Sequence, residues 1–215
     1  MVECGIEKMM CKDKLEVLNN LEAMELFEHI EKWVAQHSIR EQANKRYYKY
    51  YFNKAWKKVY DKYDELVVKK ELTSREMLFL QKVFYTGEIK RIHKYFPRRK
   101  RHICEMKDMC VSWSKRIEGL ENLNINFNKG LLIITKPVLS IDVFGLLEFI
   151  LINNPIIPKN KINQLLMYLE ESEVVYYLDL EQVKDVQIID VNMMTKKITC
   201  IGELNKDKWK RNKFK

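Results

Sequence analysis

The spacing of apolar residues changes near Gly87, and that change limits what this chain can fold into. Ahead of it, apolar side chains recur at the three- and four-residue intervals of an α-helix. Leu26, Ile30, Trp33 and Val34 mark one helix within about residues 14–36. Ser38 with Glu41 three residues on reads as a capping box opening a second helix, over about residues 39–69. Its stripe is Tyr48, Phe52, Ala55, Val59, Tyr63 and Leu66, with lysines over much of the remainder. Such a stripe is first a core face. The run Tyr47-Tyr48-Lys49-Tyr50-Tyr51 offers a second use, stacking on nucleic-acid bases. Thr73 or Ser74 caps a third helix carrying Met77, Leu78, Leu80, Val83 and Phe84, and Thr86-Gly87 ends it.

Behind Gly87 the apolar runs are short and β-rich. Short strands are expected over Glu88–His93 and Met109–Ser114, and a buried one over Leu131–Thr135. Ile141–Ile152 reads as an apolar helix or a strand running into a helix, stopped by Pro155 and Pro158. Lys159–Glu170 has a helical face of Ile162, Leu165, Leu166 and Leu169. Val174–Leu178 is β-rich, and Val186–Val191 with Lys197–Leu204 reads as a hairpin. The fold class is therefore α+β: a helical N-terminal region (1–86), a mixed α/β core (87–205) and a basic tail (206–215).

Six glycines and four prolines leave little for flexible linkers. A net charge of +9 favours a polyanionic or acidic partner, or else reflects lysines solvating helix faces. No run approaches the ~18 apolar residues of a membrane span, and the first residues lack the apolar stretch of a secretion signal. Five scattered cysteines read as reduced thiols of a cytoplasmic protein. There is no P-loop, dinucleotide fingerprint or nucleophile elbow. His29, His37, His93 and His102 are too scattered for a metal site, so none is expected.

Three polar signals stand at strand edges: Arg91 within Gly87–His93, Ser112-Trp113-Ser114, and Glu171-Ser172-Glu173 running into Val174-Val175. Their order resembles the arginine–serine–glutamate class of ADP-ribosyltransferases, a two-sheet fold. There an arginine ends the first core strand, Ser-x-Ser begins a following one, and Glu-x-Glu precedes a late apolar strand. The resemblance covers about residues 88–191 and implies NAD as substrate, with no metal. It assigns Glu173 to the ribose and its developing positive charge, and Glu171 to the acceptor nucleophile as general base. Arg91 would clamp the NAD diphosphate or ribose. Ser112 would support the ribose and Glu173. Ser114 and Trp113 complete the NAD-binding set, with Trp113 or Tyr95 as a ring to stack on unless either is simply core. On an extended segment Glu171 and Glu173 face the same side.

Three functions follow. One is a mono-ADP-ribosyltransferase acting on an intracellular protein or nucleic acid, as a toxin, defence factor or phage-encoded modifier. Another is a non-enzymatic nucleic-acid-binding protein, with residues 141–191 forming a winged helix whose recognition helix is unusually apolar. The last is an inhibitor or other interaction protein. The first requires Arg91, Ser112 and Glu173 to converge on one cleft.

Overall fold

The computed structural model describes residues 17–35, 45–95, 112–121, 123, 125–153, 165 and 171–205. The Ser38 cap, the basic loop 96–102, most of the helix over 159–170 and the tail 206–215 lie outside them, as do the side chains of Tyr47 to Phe52.

Three helices come first. Helix α1 (Asn20–Ala35) is opened by a box absent from the sequence reading: Asn19 Oδ1 accepts from the Glu22 N–H at 2.9 Å, and Glu22 Oε2 from the Asn19 N–H at 3.0 Å. Helix α2 spans Lys45–Val67. Helix α3 (Ser74–Val83) has the Thr73–Glu76 capping box its sequence announces. Glu76 is buried, and it also meets Lys69 Nζ at 2.7 Å. That contact, with the cap, holds its carboxyl below the usual range.

α3 stops at Val83, not at Thr86-Gly87. Phe84 turns to extended backbone (φ −113°, ψ 142°), and Phe84–Tyr85 becomes β1. Its partner across the sheet explains the early stop. Tyr85 pairs with Ser140, whose hydroxyl donates to the Tyr85 carbonyl at 2.6 Å.

The remaining elements are β2 (Ile89–Lys94), β3 (Ser112–Ser114), the short α4 (Ile117–Glu121), β4 (Lys129–Thr135), β5 (Ser140–Asp142), α5 (Val143–Asn153), β6 (Glu173–Val175), β7 (Val183–Val191) and β8 (Ile198–Glu203). The run from Ile141 thus divides into a strand and a helix. The cause is Asp142, which caps α5 by accepting from the Gly145 N–H at 3.1 Å. The strands after residue 173 join the large sheet rather than forming a two-stranded wing.

All eight strands form one antiparallel sheet in the order β1-β5-β6-β3-β2-β4-β7-β8. In place of two separate sheets, two halves meet at one register pair, Lys90↔Ser114. β4 is buried on both faces. Leu131 and Ile133 pack with Trp113, Val174 and Val186 on one side, while Leu132 packs with Leu120, Ile125 and Ile189 on the other. A third cluster joins α1, α2 and α3 to α5 and to Ile141 and Val175, so the apolar core runs continuously across residue 86. Among the described residues no helix is long and apolar enough to cross a membrane.

Gly145 tests this packing. Alanine is favoured over glycine in a helix by about 1 kcal/mol. A Cβ at Gly145, however, would lie 1.8 Å from the Lys82 carbonyl oxygen at the end of α3. Gly145→Ala should therefore lower the melting temperature, by a loss of about 1–3 kcal/mol from overpacking, measured by thermal denaturation.

Candidate active site

Three consecutive neighbours in the sheet, β6, β3 and β2, carry Glu173, Ser112 and Arg91. Past Lys90↔Ser114 the ladder between β2 and β3 stops, and Ile92 and Ser112 line a cleft instead. The cleft encloses about 630 Å³, counting its open mouth. Glu171, Glu173, Ser114, Gly119 and Arg91 complete most of its wall.

Ser114 opposes Glu173 in the β3–β6 register, so Ser112, Ser114 and Glu173 share one face of the sheet. Ser112 Oγ donates to Glu173 Oε1. Trp33 of α1 donates to the same oxygen from Nε1 at 2.8 Å. The indole N–H can only donate. The shared oxygen of this buried carboxyl is therefore an acceptor twice over.

Arg91 reaches the cleft by a different route. Alternation along β2 puts it on the side of Ile89 and His93, away from Lys90 and Ser114. Its Nη1 nevertheless donates to the Ser112 carbonyl, across the gap where backbone pairing has ceased. Its Nε donates to His93 Nε2 at 3.0 Å. His93 must then present a lone pair at Nε2. Burial, then the Arg91 charge, push its imidazole down to about 3.

The glutamate pair is not on a simple extended segment. Glu171 lies in a 3₁₀ turn and Ser172 is left-handed (φ 50°). Neighbours over-determine this uncommon serine geometry. The Ser172 carbonyl accepts from the Lys115 N–H at 3.0 Å, and its hydroxyl accepts from Arg116 Nε at 3.0 Å. Glu171 and Glu173 both line the cleft because this turn aims them there, not because of strand alternation.

Ser114 and Trp113 take structural places. Ser114 Oγ lies 2.7 Å from the Glu171 carbonyl and 2.8 Å from that of Arg116, bracing the glutamate turn. Gly119 of α4 packs on that brace. A Cβ there would come within 2.3 Å of the Glu171 carbonyl oxygen and 2.4 Å of Ser114 Oγ. Trp113 is only 2% exposed, donates from Nε1 to the Tyr176 carbonyl at 3.1 Å and packs edge-on to Tyr176. Its ring belongs to the core cluster on the opposite face, although the residue is also among those lining the cleft. Sequence reasoning missed Trp33, His93, Arg116 and Gly119. Only Gly119 carried a local signal, as a glycine inside a helix.

A separate hollow of about 770 Å³ lies between α1 and α2, lined in part by Glu25, His29, Lys58, Asp61, Lys62 and Glu65. Lys58 pairs with Glu25 at 2.8 Å and Lys62 with Glu65 at 2.9 Å. Mutually paired charges of this kind offer a charged ligand little net field. Among the described residues no group of three or more His, Cys, Asp or Glu side chains is set to hold a metal ion.

The chain matches no protein-family model, no curated protein and no solved structure. The site therefore stands on its geometry.

His93 yields a pH prediction. Unfolded, it takes up a proton near the ordinary histidine value of about 6.5; folded, it does so only at about 3. Protons thus favour the unfolded chain in between, and the stability present above about pH 6.5 is lost as pH falls toward 3. Urea titrations at pH 7 and pH 4 should show a smaller loss for His93→Gln, which keeps an acceptor and does not titrate.

Proposed function

We propose that the chain is a mono-ADP-ribosyltransferase that moves ADP-ribose from NAD to a macromolecular acceptor, protein or nucleic acid. The observation that carries this reading is the hydrogen bond from Ser112 to Glu173 across neighbouring strands, in a cleft shared with Arg91 and Glu171. A carboxylate, a second carboxylate and a guanidinium together supply what cleavage of a glycosidic bond to a cationic leaving group requires.

NAD already carries its leaving group as a pyridinium. When the bond between nicotinamide N1 and ribose C1′ breaks, the electron pair leaves with nicotinamide, which becomes neutral. Positive charge develops on C1′ and the ring oxygen, as in glycoside cleavage. Glu173, held by donors on Oε1, would stabilise that charge and accept from a ribose hydroxyl. The acceptor's lone pair then bonds to C1′, and its proton passes to Glu171, which lines the same cleft. Arg91 places a permanent positive charge at the cleft, suited to a diphosphate or a ribose oxygen. The net charge of +9 favours an acidic acceptor surface.

The two glutamates separate the half-reactions. With labelled NAD and a cell lysate, Glu173→Ala should lose both nicotinamide release and label transfer, by about 100- to 1000-fold if it removes one main electrostatic stabiliser. Glu171→Ala should lose transfer while still releasing nicotinamide to water. Absence of NAD binding and of nicotinamide release from the parent protein would overturn the reading. Salt-sensitive nucleic-acid binding that survives Glu173→Ala without NAD would favour a non-enzymatic binding protein instead.

A further inference from the structure

We infer that Trp33 is a positioning residue for Glu173, so that the N-terminal helices form part of the active site. The inference rests on the reading of Glu173 given above. Trp33 lies 140 positions before Glu173 in the chain, and its Nε1 reaches Oε1 at 2.8 Å.

The donor is held from both sides. Along α1, Ala23, Leu26, Phe27, Ile30 and Val34 are buried in the cluster that also contains α2, α3 and α5. Trp33 packs against this cluster and sets its ring at 89° to that of Trp56, with centroids 5.4 Å apart. Trp56 is completely buried. An anchored helix of this kind holds the Trp33 donor at a fixed place beside Glu173.

Ser112 and Trp33 both donate to Oε1, which anchors the group to β3 and to α1. Two donors from separate elements restrain the orientation of the carboxyl as well as its position. A carboxylate whose task is to meet charge developing on C1′ needs that orientation before the reaction begins. Trp33 would therefore act on the chemical step more than on NAD binding.

Trp56 is the matched control. It is the partner of Trp33 in the ring pair, yet its Nε1 is buried without a hydrogen-bond partner. Replacing either tryptophan by phenylalanine disturbs the same aromatic contact. Only Trp33→Phe removes a donor from Glu173.

The test is single-turnover nicotinamide release from NAD by the full chain and both variants, each checked for folding by its melting curve. Trp33→Phe should lower the rate about 10- to 100-fold, the worth of a hydrogen bond to a charged group, with KM for NAD unchanged. Trp56→Phe should leave the rate near that of the parent. Equal effects in the two variants, or no effect in Trp33→Phe, would overturn the inference. A second readout does not depend on activity. In ¹H–¹⁵N spectra, Glu173→Gln should move the indole resonance that is missing from Trp33→Phe. If that resonance stays in place, the inference also fails. If the parent releases no nicotinamide, the transferase reading falls, and the indole resonance alone decides whether Trp33 positions Glu173.

Discussion

The two halves of the sheet are joined at Lys90↔Ser114, and the site depends on how little that junction holds. β2 pairs with β4 along its whole length, and β3 with β6 likewise. Between β2 and β3 the ladder ends after one pair, although β3 runs two residues further and β2 four. An interior sheet position without ladder bonds leaves backbone groups to satisfy by other means. Arg91 does so for the Ser112 carbonyl. A side chain standing in for a backbone partner holds the strands together while keeping them apart, and the opening is the cleft.

Burying a carboxylate beside that opening is costly unless it is paired or hydrogen-bonded. Glu173 is 7% exposed, and the structure meets the cost with one donor from the neighbouring strand and one from a distant helix. The turn ahead of it is held as firmly. Lys115 and Arg116 grip Ser172, while Ser114 grips the Glu171 carbonyl. Gly119 lets α4 approach because no Cβ intervenes. The polar residues of the Ser-x-Ser and Glu-x-Glu segments therefore divide. Ser112, Glu171 and Glu173 line the cleft, while the Ser114 hydroxyl and Ser172 hold the glutamate turn in place.

Much of the architecture was legible in the chain because it depends on local periodicity. The α+β class, the Thr73–Glu76 cap, the buried strand around Leu131–Ile133 and the closing hairpin all follow from the order of apolar and polar residues. Other features were misread for reasons of tertiary contact. The end of α3 moved forward because Phe84 and Tyr85 find a strand partner more than fifty residues away. Trp113 reads as a candidate stacking platform by its place between two serines, yet alternation turns it to the opposite face, against Tyr176.

Sequence by itself singled out the candidates: an arginine, a serine and two glutamates on or beside strands, in an order that made one cleft conceivable. Tertiary structure decided which of their atoms meet. The order β6-β3-β2 comes from long-range pairing, and no local pattern encodes which strands become neighbours. The Trp33–Glu173 bond was equally invisible, because a helical apolar stripe shows only that a tryptophan is buried. Which polar atom lies within reach of its N–H depends on how helix α1 settles against the sheet.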